Sequence, residues 1–240
     1  MKIIEYPAKE SWSQLLKRPA LDVEALRGTV NEVLQQVRTQ GDRAVLEYEE
    51  KFDKVKLNSL AVTPEEMEEA VRLIDADLKA AIELAHTNIE KFHTAQRFEG
   101  KPVETRPGVT CWQKAVAIEK VGLYIPGGTA PLFSTVLMLA TPARIAGCGE
   151  IVLCTPPARD GSINPAILYA AKVAGVSRIY KIGGVQAIGA MAYGTESVHK
   201  VYKIFGPGNQ YVTAAKQQVS LRDVAIDMPA GLVTTKVQLQ

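Results

Sequence analysis

Residues 121–154, VGLYIPGGTAPLFSTVLMLATPARIAGCGEIVLC, spell a buried strand, a glycine-rich turn, a helix and a second buried strand. Val121 to Ile125 is a short apolar run with a β-branched residue at each end, as a parallel strand covered on both faces requires. Pro126-Gly127-Gly128 cannot continue a strand and ends it. Pro131 to Ala146 is apolar on most sides and bounded by Gly147. That predicts a helix packed between layers and stopped near the glycine.

The unit recurs downstream. Apolar runs begin near Val121, Ile151, Ile179 and Val201, with a weaker one at Val224. Helical segments separate them. One opens at Asn164-Pro165 and closes at Gly175. A second carries Val185, Ile188, Met191 and Ala192 and closes at Gly194. A third runs from Asn209 to Val219. Strands alternating with such helices predict right-handed crossovers and a parallel, doubly wound sheet.

Upstream, the chain reads as a short arm over residues 1–20 followed by amphipathic helices. Asp22 is placed to cap a helix carrying Val23, Leu26, Val30, Val33, Leu34 and Val37, which Gly41 stops. Asp42 starts another, with Val45, Tyr48 and Phe52 on one side. Thr63-Pro64-Glu65-Glu66 is a capping box with proline at the first helical position. A further stripe follows at Leu78, Ala81, Ile82, Ala85, Ile89 and Phe92. Between Gly100 and Lys120 the pattern changes to two short strands, Val109 to Trp112 and Val116 to Ile118. These predict an antiparallel pair leading to a domain boundary near residue 120.

Composition narrows the function classes. A chain of 240 residues can bury a sizeable core. A net charge of +2 without blocks of like charge argues against nucleic acid and anionic membranes as partners. No apolar run reaches the ~18–20 residues of a membrane span. The start, MKIIEYPAKESW, lacks the pattern of a signal peptide. Cys111, Cys148 and Cys154 lack the C-x-x-C spacing, which points to a reduced, cytoplasmic compartment.

The chemistry gathers at three strand ends: Pro126-Gly127-Gly128, Gly183-Gly184 and Gly206-Pro207-Gly208. A doubly wound sheet brings such turns to one edge, where helix N-termini offer N–H groups to a ligand. Each is followed by a hydrogen-bonding side chain, Thr129, Gln186 or Asn209, and Tyr124 precedes the first. The pattern predicts a nucleotide or phosphate cleft, although glycines that merely make tight turns would look the same. The G-x-G-x-x-G fingerprint is missing. His86 and His93, seven apart on one helix, lack a third ligand and read as surface or core-edge histidines, and His199 falls in a loop. Cys148 and Cys154 read as small hydrophobes without a neighbouring base. Asp227 ends the last strand at the same edge, where a structural and a functional role are equally open.

These segments carry a resemblance. VGLYIPGGTAPLFSTVLMLATPARIAGC, GGVQAIGAMAYGTESV, KIFGPGNQYVTAAKQQVS and AIDMPAG resemble, in order, the histidinol dehydrogenases, from about residue 20 to Gly231. The resemblance implies oxidation of L-histidinol to L-histidine with two NAD and a zinc ion, the last two steps of histidine biosynthesis. It implies an intertwined homodimer with two incomplete Rossmann-like domains. The fold class follows as α/β: a helical N-terminal segment at 21–120, an incomplete first domain, then a Rossmann-like NAD-binding domain at 121–230. Tyr124, Gln186 and Asn209 match the family's NAD-contacting positions.

The departure lies at residues 231–240. The family continues from IDMPAG into Pro-Ser-Glu, whereas here Leu232-Val233-Thr234 follow Gly231, and the family's substrate-contacting serine falls at Val233. The family's zinc ligands and its Glu-His acid–base pair match no position of this chain. The resemblance therefore implies a truncated chain, inactive alone, whose tail arose by a frameshift, a premature stop or an assembly error. Its N-terminal helices would expose an apolar face. The alternative is a non-catalytic nucleotide-binding module, or an interaction fragment, that keeps the cleft.

Overall fold

A computed structural model describes residues 4–17, 23–128 and 130–228. Asp22, Thr129 and the departing tail lie outside the described residues. In the arm, α1 (Trp12–Leu15) follows a turn held by the Trp12 indole N–H on the Pro7 carbonyl at 3.0 Å. Helices α2 (Val23–Gln40) and α3 (Asp42–Tyr48) come next, and the chain continues into a π-helical turn, Glu49–Asp53. Then come α4 (Pro64–Leu73) and α5 (Ala76–Thr94). The capping box forms as read: the Glu66 N–H donates to Thr63 Oγ1 at 3.2 Å, and the Thr63 N–H to Glu66 Oε2 at 2.8 Å.

An exposed hairpin follows, β1 (Val103–Arg106) with β2 (Val109–Cys111). The antiparallel pair exists, but its partners differ from the sequence reading. Pro107-Gly108 makes the turn, so 109–111 pairs backwards with 103–106, and 116–118 forms no strand. With every hairpin residue exposed, no alternation of apolar and polar residues marked the register.

The second half alternates as predicted: β3 (Lys120–Tyr124), α6 (Phe133–Ile145), β4 (Glu150–Thr155), α7 (Pro165–Ala174), β5 (Arg178–Lys181), α8 (Gly184–Tyr193), β6 (Lys203–Phe205), α9 (Gln210–Ser220) and β7 (Ala225–Ile226). The sheet is wholly parallel, in the order β5-β4-β3-β6-β7. The order reverses between β3 and β6, which opens a crevice beyond their carboxyl ends. Residues 60–62 run along the free edge of β5, with the Val62 N–H on the Ile179 carbonyl at 2.9 Å and the Lys181 N–H on that of Leu60 at 2.8 Å. That segment covers an edge that would otherwise offer unpaired backbone groups.

The N-terminal helices pack on this same sheet unit. Helix α2 lies across α8 and α9, burying Val30, Val33, Leu34 and Val37 with Ile188, Met191 and Val212. On the other face α4 packs on α7 and α5 on α6, burying Ala70, Ile74 and Ile82 with Val136, Leu137 and Ala171. The apolar face expected to stand open on these helices is largely closed by contacts the periodicity could not name. What remains open on α5 includes Leu84 and Phe92. Each fully buried aliphatic side chain of the two layers contributes about 1.5–3 kcal/mol.

Candidate functional site

A cleft of about 830 Å³ lies at the carboxyl edge of the sheet, bordered by the loops after β3, β4, β5 and β6. Tyr124, Gln186 and Asn209 all line it. The structure thus brings together three side chains that are 62 and 23 positions apart in sequence.

Each is built into the frame. Tyr124 ends β3 and is buried; its Oη accepts the Gly184 N–H at 3.1 Å, and burial holds the phenol well above its ordinary pKa. Gln186 stands in the first turn of α8 and is fully buried. Its Nε2 donates to Glu49 Oε1 at 2.8 Å, while its Oε1 meets no donor. Asn209 caps α9, its Oδ1 accepting the Tyr211 and Val212 N–H groups at 3.0 Å each, which leaves Nδ2 to offer a ligand.

The free helix N-termini expected from the glycine turns are therefore mostly filled. The Gly183 N–H donates to Glu49 Oε1 at 3.0 Å, and the Gly184 N–H is taken by Tyr124. Asn164 caps α7 through the Ala166 N–H at 2.9 Å. Helix α6, after Pro126-Gly127-Gly128, has no side-chain cap, so its first turn retains the character of an anion site.

Sequence reasoning missed the acids. Glu49 and Asp53, one turn apart on the π-helical segment, reach the site because α3 packs on α8. Glu49 is fully buried; Oε1 takes two donors and Oε2 takes none. Burial pushes its carboxyl up to about 7; the Gln186 and Gly183 bonds oppose the rise, and the Asp53 charge adds to it. Asp53 lines the cleft, and its carboxyl is likewise raised, by burial first. The two carboxyls share a hydrogen bond once one of them carries a proton. A π-turn displaces side chains from the ordinary helical register and recurs at functional sites. Two Glu/Asp positions in a charged helix gave no such signal.

Asp227 serves the frame. Its Oδ2 accepts the Gly206 N–H at 2.8 Å, and its Oδ1 pairs with Lys216 Nζ, which also donates to the Gly206 carbonyl at 2.9 Å. Gly206 has φ +127, and a Cβ there would lie 2.1 Å from the Tyr124 carbonyl oxygen. The histidines stand apart: His86 beside Arg144, His93 beside Gln96, His199 on Glu150. Cys154 is buried and Cys148 half-buried, and burial raises both thiols away from the reactive range.

A family model for histidinol dehydrogenase matches residues 16–237. The chain belongs to the histidinol dehydrogenase family. It is 72% identical over 231 residues to the histidinol dehydrogenase of Bacteroides thetaiotaomicron, covering 96% of this chain and 54% of the relative. The Escherichia coli O157:H7 enzyme is 55% identical over 221 residues, covering 91% of this chain and 50% of that protein. The crystal structure of histidinol dehydrogenase from Elizabethkingia anophelis superposes with a TM-score of 0.89 at 52% identity, over 94% of this chain and 52% of that one. The chain spans about half the length of the relatives it matches. The α/β class and the family resemblance both hold.

Proposed function

We propose that this chain supplies the NAD-binding part of an enzyme that oxidises L-histidinol to L-histidine. The observation that carries the reading is the convergence of Tyr124, Gln186 and Asn209 on one cleft at the switch point of a parallel sheet. The residues fit the dinucleotide on two further counts. Gln186 Oε1 is a buried acceptor without a donor, and the uncapped first turn of α6 suits a pyrophosphate. Phe52 and Tyr211 add ring surface at the cleft for a base.

When bound, NAD supplies the hydride acceptor. The chain's own residues hold it: Asn209 Nδ2 donates to it, Gln186 Oε1 accepts from it, and Tyr124 fixes the α8 turn on which Gln186 stands. The described residues do not fit zinc, because no three of their His, Cys, Asp or Glu side chains are grouped to hold a metal ion. No step is routed through a metal, and no general acid or base for histidinol is assigned to a residue here. On this reading the acid–base and metal chemistry comes from outside the residues described, the protein is cytoplasmic, and it assembles as the family's homodimer. The exposed Phe98, Trp112 and Val116 support that assembly. No helix among the described residues is long and apolar enough to cross a membrane.

Titration calorimetry of the 240-residue chain with NAD tests the reading. Binding is expected, and Gln186→Ala or Asn209→Ala should weaken it by roughly three- to tenfold, one hydrogen bond each. Unchanged affinity in both variants would refute the residue assignment. No binding to the wild-type chain would refute the cleft.

A further inference from the structure

Two acceptors of the cleft border the glycines of the β5 turn. Asp53 Oδ2 is 3.2 Å from where a Cβ on Gly183 would lie, and Gln186 Oε1 is 2.8 Å from where a Cβ on Gly184 would lie. The two oxygens thus flank consecutive residues. Both side chains line the cleft. Gln186 is fully buried, and its Oε1 has no protein donor. A buried acceptor without a donor is costly, so a site that keeps one is arranged for a donor from elsewhere.

Asp53 is also unusual in how it is held. Asp227 at the neighbouring turn meets a cation, Lys216. Asp53 meets instead the carboxyl of Glu49. Glu49 is fixed by two donors on Oε1, the Gly183 N–H and Gln186 Nε2, and its carboxyl neighbours that of Asp53. One chain of bonds therefore sets both acceptors. Gln186 Nε2 is committed to Glu49, so its Oε1 must be the atom offered to the cleft. The Glu49 carboxyl fixes the Asp53 oxygen beside it.

Two acceptors bordering consecutive residues, one of them an acid, suit a ligand that carries two neighbouring O–H donors. A vicinal diol presents that pattern; a phosphate, which only accepts at its ionised oxygens, would be repelled. We propose that Asp53 and Gln186 together accept the 2′- and 3′-hydroxyls of one ribose of the bound dinucleotide, with Glu49 as the residue that positions both. This rests on the reading of the cleft as an NAD site. It adds to that reading the two acids and the kind of donor that Gln186 Oε1 meets. An acidic group on a ribose hydroxyl is a device known from unrelated dinucleotide folds, which reach it from a strand end and not from a π-turn.

Titration calorimetry on the wild-type chain and Asp53→Asn, with NAD, AMP and nicotinamide mononucleotide as probes, tests it. Asparagine keeps the shape and removes the charge, and thermal unfolding verifies that the variant folds. The variant should bind NAD about 10- to 100-fold more weakly, the worth of one charged hydrogen bond. The same loss should appear with one of the two mononucleotides, which tells whether the adenosine or the nicotinamide ribose is held. With the 2′,3′-dideoxy analogue of that mononucleotide, wild type and variant should bind alike. If Asp53→Asn binds NAD as the wild type does while Asn209→Ala binds it more weakly, the diol inference falls and the NAD reading stands. The inference also falls if the variant's loss persists with the dideoxy analogue. If the wild-type chain binds no NAD, both fall together.

Discussion

The turns after β5 and β6 look alike in sequence, Gly183-Gly184 against Gly206-Pro207-Gly208, yet they are held by opposite electrostatic means. The β6 turn is tied by an ion pair, with Lys216 bonded to Asp227 and both bonded to Gly206. The β5 turn is tied by an acid with no cation beside it, Glu49, whose carboxyl is pushed up to about 7. A lone buried acid accepts from the turn in either state, but its burial costs more stability once it is ionised. The wall that carries Asn209 is therefore held by an ion pair, and the wall that carries the acceptors by buried acids.

The hardest test of the β6 turn is Gly206→Ala. A Cβ there has to displace the Tyr124 carbonyl, 2.1 Å away, at a backbone conformation that disfavours side chains. A loss of about 4 kcal/mol is expected in urea unfolding. A variant as stable as the wild type would show that this turn is not closed against β3.

Lys216→Met and Glu49→Gln set the two ties against each other. Removing the lysine leaves Asp227 and the Gly206 carbonyl without their cation, for about 3 kcal/mol. Glutamine at 49 keeps an oxygen for the two N–H donors and a donor for Asp53. It should cost less than about 1 kcal/mol at pH 5, where the acid is already protonated. The reverse ranking in urea midpoints would overturn the contrast.

The same acid also sets a pH profile. Glu49 titrates near 4.5 when unfolded and near 7 when folded. Between those values the folded chain holds more protons than the unfolded one. Its contribution is therefore complete below about pH 4.5 and is lost as pH rises through 7, on the order of 1–3 kcal/mol. Asp53, also raised, acts in the same direction. Urea midpoints at pH 5 and pH 8 should fall for the wild type and change less for Glu49→Gln. Equal slopes would mean that Glu49 is not the acid responsible.

Much of this architecture could be read before any coordinates. Asn164, Thr63 and Asn209 cap their helices through the side chains that the sequence displays, and Gly175 and Gly194 end theirs at positive φ. Such signals are local, so a single stretch contains both cause and effect. The cleft was legible too, because strand ends of a doubly wound sheet must share an edge. Glu49 was not, since its partner Gly183 lies 134 residues away and only the packing of α3 on α8 joins them. The stripe on α2 revealed that a face is buried without revealing what buries it. Periodicity carries the first kind of information and topology the second. Asp227, open in the sequence between two roles, was decided by Lys216, eleven positions earlier, which a charge count treats as one more surface lysine.

The packing of α2 across α8 and α9 also has a consequence for synthesis. Val30 to Val37 leave the ribosome early, while Ile188 and Val212, the side chains that shelter them, are made more than 150 residues later. At about 5–20 residues per second, the nascent helix waits roughly ten to thirty seconds for its partners. During that interval its apolar stripe is open to chaperones and to neighbouring nascent chains. The core on that side of the sheet closes only when α9 has emerged.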